Sequence, residues 1–522
     1  MKNFFIAFLT VSFSLVCHSC GSNDPTPPDK GEDDVDMTTD CKSPQETGAY
    51  ATFFKPQQGW VGDPMPYYNK ENKTFYLFYL QDWRNGAPQD HPVFSIQTKD
   101  YATFSGFAEA IPCGPNEQSQ DVFLGTGSFI KKDGICYGFY TGHNGRLSPV
   151  EKIMLATSPD MKNWTKIPSF TFEAPAGYDK NNFRDPFVYF DETRNNYVML
   201  VTTRQNNKGV LARYTSPDLT NWTLIEPLTD FESDAEILEC PDLFKMGNKW
   251  YLIFSRINRD QHRKTFYRIA DSPDGPWKIC RDAGGHHETF DGLYLYAAKT
   301  GSDGTHRYLS GWCSTGQEVN SNNELDWAGA LISHQLVQQP NGRLYPAIPE
   351  AVDHKFSAPV PFKEIRTAGN INGSEGNYTL SGNSYVVFNR NTQPVKITMT
   401  IDASQASRDF GIAFGACENQ QDVYALSFDL TNNHWGLPSV FMYHDWIESG
   451  KNKQEELNFT PLLVPSNKIF NVKIIMEKSI CTMYVNNHVA FTNRIYKMHQ
   501  NPWMIFSKDE TVKFSNIKIC QQ

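Results

Sequence analysis

Three acidic residues stand in unusual company. Asp63 sits in "WVGDP", Asp185 in "FRDPFV" and Glu239 in "ILECPDLF", and each is followed within two residues by a proline and then by an apolar run. Carboxylates brought together suit nucleophilic and acid–base chemistry, because the surroundings can keep one ionised and hold a proton on another. Taken singly, each has a plain explanation: Asp63 forms a turn, Asp185 pairs with Arg184, and Glu239 ends a strand. Their chemistry depends on whether the fold makes them meet.

A repeat supplies the frame. "TKDYATF", "TSPDMKNW", "TSPDLTNW" and "DSPDGPW" echo one another, with Asp100, Asp160, Asp218 and Asp274 spaced 60, 58 and 56 residues apart. Between them run short alternating segments such as "KTFYLFYL", "GICYGFYTG", "NNYVMLVTT" and "NKWYLIFSR", broken by Gly, Asn and Asp turns. No comparable stretch carries a capped helical period. Each unit reads as a four-stranded antiparallel sheet that buries its faces by stacking radially on its neighbours, and residues 48–349 hold five units: a five-bladed β-propeller. Equivalent places on successive blades converge on a shared axis, which is where the three carboxylates are expected. A Ser-Pro-Asp turn recurring by chance is the plain alternative, and the regular spacing argues against it.

After Pro349 the texture changes. Residues 350–522 begin with the linker-like "SAPVPF" and continue as alternating segments without the repeat, with Asn486 and Asn487 forming a tight hairpin turn. A β-sandwich of about 150 residues follows, so the chain reads as all-β: propeller, then sandwich.

Residues 1–19 read as an export signal, with Lys2 ahead of an apolar run too short to span a bilayer. The order "LVCHSCGSND" resembles a bacterial lipoprotein signal, which makes Cys20 the lipidated first residue of the mature chain, and ordinary secretion is the other reading. Residues 20–47 form a Pro-rich, acidic tether. The expected location is outside the cytoplasm, in a bacterial cell envelope as an outer-membrane lipoprotein, with contact to the membrane through the lipid only. A net charge of -10 gives no footprint for nucleic acid. Of eleven cysteines, nine remain once Cys17 and Cys20 are set aside, and no CxxC or Cys/His cluster suggests a metal site or cofactor.

The three motifs together resemble glycoside hydrolase family 32, the invertase, inulinase and levanase family, whose signatures are a Trp-x-Asn-Asp-Pro-Asn-Gly turn, an Arg-Asp-Pro and a Glu-Cys. They stand here as "WVGDPMP" from Trp60, "RDP" from Arg184 and "EC" from Glu239, with "FYLQDW", "LGTGSFI", "FDGLYLYAAKT" and "WAGALISHQL" as supporting fragments. The resemblance implies a retaining glycosidase that cleaves fructofuranosyl linkages in fructans or sucrose-type oligosaccharides, or a related furanoside. In that chemistry a nucleophile and an acid stand roughly 5 to 5.5 Å apart. It makes Asp63 the nucleophile, kept ionised by its turn, and Glu239 the acid and base, with Asp185 holding sugar hydroxyls under the guidance of Arg184. Trp60, Gln81, Ser128, Arg184, Asp291 and Trp327 are expected to contact substrate.

The first motif departs from the family: Gly62 replaces one asparagine and "MPY" from Met65 replaces the Asn-Gly, while "SHQL" from Ser333 replaces a Pro-Arg-Glu-Leu. The retaining chemistry therefore carries over better than the identity of the sugar. A catalytically silent carbohydrate-binding propeller on a lipid anchor is the second hypothesis, disfavoured by the intact Asp63, Asp185 and Glu239.

Overall fold

The structure is a computed structural model that describes residues 49–522, apart from residues 84–90, 234, 259–260, 283–284, 317–326, 392–393, 419–421, 433–435, 449–450 and 497–500. The expected signal, tether and Cys20 lie outside the described residues.

Five antiparallel blades follow one another, with innermost strands Trp60–Asn69, Phe123–Lys132, Arg184–Asp191, Ile237–Met246 and Leu295–Ser302. Each of these strands contacts the next, and Leu295–Ser302 returns to contact Trp60–Asn69, so the ring closes. Val61 and Ser314 both pair with Gly329, which joins the last blade to the first. A Cβ at Gly329 would lie 1.6 Å from the Cys313 carbonyl oxygen, so this closure admits only glycine.

The repeated aspartates build the turns between the third and fourth strands. Oδ1 of Asp160 accepts the amides of Lys162 and Asn163 at 2.9 and 2.8 Å, and Asp218 does the same for Thr220 and Asn221 at 2.9 and 2.8 Å. Such Asx turns satisfy backbone donors locally and fix the hairpin. The tryptophan four residues later stitches one blade to the one before it: Trp164 lies edge-on to Phe78 at 5.5 Å, and Trp222 to Phe139 at 5.7 Å. The fourth blade departs from the expected four strands. Its ladder holds Ile237–Met246, Lys249–Asn258 and Gln261–Ala270, with two isolated bridges, Ile269 to Lys278 and Phe266 to Thr289, in the outer place, and Trp277 is fully buried.

The five innermost strands share a defect. Their pairing slips at Gly62/Met65, Gly125/Gly127, opposite Leu200/Thr202, at Glu239/Asp242 and at Tyr296/Lys299. Four of these bulges hold a non-glycine residue at positive φ: Asp63 (35°), Asp185 (54°), Cys240 (52°) and Ala297 (51°). A bulge kinks its strand and re-aims a side chain, and left-handed backbone costs about 1–2 kcal/mol at such residues. Repeated five times around an axis, it aims side chains of every blade toward the centre.

From Ala358 onward one continuous antiparallel ladder of 13 strands folds over itself into two layers. Phe410 stacks on Phe428 at 5.3 Å, and Phe428 meets Phe470 of the opposite layer at 5.5 Å. Asn486 and Asn487 take φ of 53° and 51°, and His488 N–H bonds to the Val485 carbonyl at 2.9 Å, the hairpin turn expected of them. One short helix, Glu350–Lys355, is the only helix among the described residues.

Propeller and sandwich meet through buried polar groups. Asp291 accepts from the Thr492 amide and hydroxyl, both at 2.6 Å, and lies 3.0 Å from His334, whose other ring nitrogen is 2.8 Å from Tyr484. Asp291 was expected to touch substrate, and the structure corrects this: it is 3% exposed and its oxygens are taken by Thr492 of the sandwich, by His334 and by the Gly292 amide.

Candidate active site

All five blades contribute to one cavity of about 400 Å³, whose lining includes Asp63, Asp185 and Glu239. Thr126 Oγ1 donates to Asp63 Oδ2 at 2.6 Å and Trp312 Nε1 to Oδ1 at 2.9 Å. Burial pushes the Asp63 carboxyl above its ordinary value, with the Glu239 charge adding to the rise and these two donors opposing it. The donors come from neighbouring blades and not, as the sequence suggested, from the turn holding Asp63.

Asp185 accepts the Cys240 amide at 2.9 Å, and its own amide donates to Thr141 Oγ1 at 2.9 Å. Burial pushes its carboxyl up to about 7, against the lowering pull of Arg184 and with the Glu239 charge adding to the rise. Arg184 was expected to orient Asp185, but it reaches Asp185 through its charge only, and its hydrogen bonds go to Glu239, Glu151 and Asn182. Its Nη2 donates to Glu239 Oε1 at 3.0 Å and its Nη1 lies 3.4 Å from Glu151. Burial works against the Arg184 charge, and Glu239, Glu151 and Asp185 overcome it and hold the guanidinium protonated.

Glu239 accepts a second bond, from Tyr296 Oη at 2.6 Å. Glu151, which burial alone would push up, is held below its ordinary value by His143, Arg184 and the Phe183 amide, the last at 2.7 Å. The cavity thus has a carboxylate fixed by two neutral donors, a second gripped by a guanidinium and a phenol, and a third that burial inclines to keep its proton. That set suits a nucleophile, a proton donor and acceptor, and a group that binds hydroxyls.

Among the expected contact residues, Arg184 and Trp327 line the cavity. Three others, besides Asp291, do not. Gln81 is fully buried, its amide donating to the Gln58 carbonyl at 2.8 Å and its oxygen accepting from Tyr79. Ser128 Oγ accepts the Val188 amide at 2.9 Å, tying the second blade to the third. Trp60 packs beneath Lys55 at 4.5 Å and Arg494 at 5.8 Å. Thr126, Trp312, Tyr296 and Glu151 were not singled out from sequence. Thr126 and Tyr296 sit inside the fragments "LGTGSFI" and "FDGLYLYAAKT", so the signal was present at the level of the strand but not of the side chain.

Residues 53–345 match the model of the glycosyl hydrolases family 32 N-terminal domain, and residues 342–519 match the model described as GH32, BT1760-like, C-terminal domain. The chain belongs to glycoside hydrolase family 32. It is 22% identical to raffinose invertase of Escherichia coli over 84% of this chain and 88% of that enzyme. Levanase of Bacillus subtilis is 25% identical over 83% of this chain and 64% of that protein. The match to Escherichia coli sucrose-6-phosphate hydrolase, 24% identical over 55% of this chain, spans 62% of that enzyme, less than two thirds of its length. Among solved structures, fructan 1-exohydrolase IIa from Cichorium intybus aligns at TM-score 0.70 and 18% identity over 91% of this chain and 97% of that one, a likeness of fold.

Within the family frame, the substituted Gly62 has a physical reason. A Cβ there would lie 2.4 Å from Cη2 and Cζ2 of Trp327. The Trp327 ring stacks on His91 at 4.4 Å, so an indole covers the backbone beside Asp63 where the family motif carries an amide side chain.

Proposed function

We propose that this family 32 chain is a retaining glycosidase of β-fructofuranosides. The observation that carries the reading is the convergence of Asp63, Asp185 and Glu239 on one axial cavity, with Asp63 held by two neutral donors. An Asp63 oxygen attacks the anomeric carbon while Glu239 passes its proton to the glycosidic oxygen, and the leaving sugar departs. Glu239 then takes a proton from water, whose oxygen displaces Asp63 and frees the sugar. Asp185 binds ring hydroxyls beside the developing positive charge, and Arg184 and Tyr296 fix Glu239.

The relatives named invertase, levanase and sucrose-6-phosphate hydrolase narrow the substrate to fructosides. Electrostatics narrows it further: among the described lining residues one guanidinium stands among four acidic side chains and is itself engaged by Glu239 and Glu151. It is not left open to a phosphate, so neutral fructans and sucrose-type oligosaccharides are the favoured substrates. Reducing-sugar release from sucrose, inulin, levan and sucrose 6-phosphate, with Asp63→Ala as control, tests this. Release from none, or from the phosphorylated sugar alone, overturns it.

We infer also that the chain is exported and anchored by lipid at Cys20. The order "LVCHSCGSND" and the tether support this, as does the disulfide at Cys417, a bond at home in oxidising compartments. Mass spectrometry of the membrane fraction finding an unmodified N-terminus beyond Cys20 refutes it.

A further inference from the structure

Arg494 belongs to the sandwich, is fully buried, and reaches into the propeller. Its Nε donates to the Ser314 carbonyl and its Nη2 to the Cys313 carbonyl, both at 3.1 Å, while Nη1 donates to Ser479 Oγ at 2.9 Å and Tyr50 Oη at 3.2 Å. Beside it, Tyr496 Oη donates to the Thr315 carbonyl at 2.6 Å. Three successive carbonyls at the end of the strand Arg307–Ser314 are therefore held from the other domain.

That strand end is where the ring closes, since Ser314 and Val61 both pair with Gly329. It is also where the candidate nucleophile is held. Trp312, the residue before Cys313, donates to Asp63, and the Arg494 guanidinium lies 5.8 Å from the ring of Trp60, three residues before Asp63. A guanidinium offers donors in a rigid fork, so it fixes the direction of a strand end as well as filling space. Burying such a charge is costly, and apolar packing would serve a mere contact between domains.

We propose that Arg494 is a positioning residue of the active site: by clamping the Cys313 and Ser314 carbonyls it fixes the Trp312 indole on Asp63. The sandwich is then a working part of the site. The kinetic side of this rests on Asp63 being the reacting carboxylate, and the hydrogen-bond geometry does not.

The test compares Arg494→Lys, Arg494→Met, Trp312→Phe and the double variant R494M/W312F. Glu239, Asp185, His91 and Lys299 also act on Asp63 or on its charged neighbours, so the comparison is between variants and not of absolute values. Losing an indole donor to a carboxylate moves its titration upward on the order of one pH unit. R494M and W312F should both shift the acid limb of kcat/KM upward and lower kcat more than they raise KM. The double variant should shift no further than W312F alone, and R494K should recover part of the loss. R494K and R494M profiles that superimpose on the parent while W312F moves, or a double variant that is additive, overturn the proposal. Should R494M not unfold cooperatively, R494K carries the comparison. Should no fructoside be cleaved, the functional reading fails separately, and the pH dependence of tryptophan fluorescence, with W312F as reference, still reports how Asp63 titrates in the Arg494 variants.

Discussion

The Tyr296 hydroxyl lies 2.6 Å from Oε2 of Glu239, across the cavity edge from Arg184, which holds Oε1 at 3.0 Å. The two donors reach Glu239 from different blades, so its rotamer is fixed from both sides. Tyr296→Phe keeps the ring and removes one donor. We expect kcat on natural fructosides to fall on the order of 10-fold, with KM and thermal unfolding little changed. A kcat equal to that of the parent would show that Arg184 alone suffices.

Asp63 and Glu239 are distinguished by the leaving group. Asp63→Ala leaves no nucleophile and should abolish turnover of every substrate. Glu239→Ala should slow natural fructosides severely yet spare activated ones, because a good leaving group departs without a proton. Equal losses on both substrate types for E239A would contradict the assignment of the acid. Both variants should remain folded, since these side chains face the cavity.

The raised Asp185 carboxyl predicts how stability varies with pH. Its value of about 7 in the fold stands above the ordinary 3.8, so the folded chain binds this proton more tightly than the unfolded one. That contribution is complete below about pH 4 and is lost as pH rises through about 7. From the size of the shift it is about 4 kcal/mol at most. Asp185→Asn keeps an acceptor for the Cys240 amide and cannot ionise. Denaturant unfolding should therefore show the parent losing stability relative to D185N between pH 4 and pH 7, and parallel curves would mean that Asp185 is ionised throughout.

The sequence carried the repeat, the blade number and the sandwich because each rests on periodic burial, and period is visible in a string. It carried the three carboxylates because motif order survives divergence. The donors that aim them were hidden by the bulges. An alternating strand would point Thr126 and Ser128 to one face, but the slip at Gly125/Gly127 sends Thr126 to Asp63 and leaves Ser128 on the Val188 amide. Asp291 was misplaced for another reason: its partner Thr492 is 201 residues away, in a domain whose docking no local pattern records.

Gly62 and Trp327 should behave as one unit. The indole lines the cavity, stacks on His91 and occupies the space any side chain at position 62 would need. Gly62→Asn must push the indole aside or distort the bulge holding Asp63, so kcat/KM should fall on the order of 100-fold, the loss expected when a reacting group is displaced by about 1 Å. Trp327→Leu alone removes one wall of the cavity and should act mainly on KM. In the double variant G62N/W327L the new amide gains room, and kcat/KM should exceed that of G62N alone. Contacting residues couple by about 0.5–3 kcal/mol, so a double-mutant cycle measured on one fructoside has a readable outcome. If the two changes add to within about 0.5 kcal/mol, the indole is not what keeps position 62 a glycine.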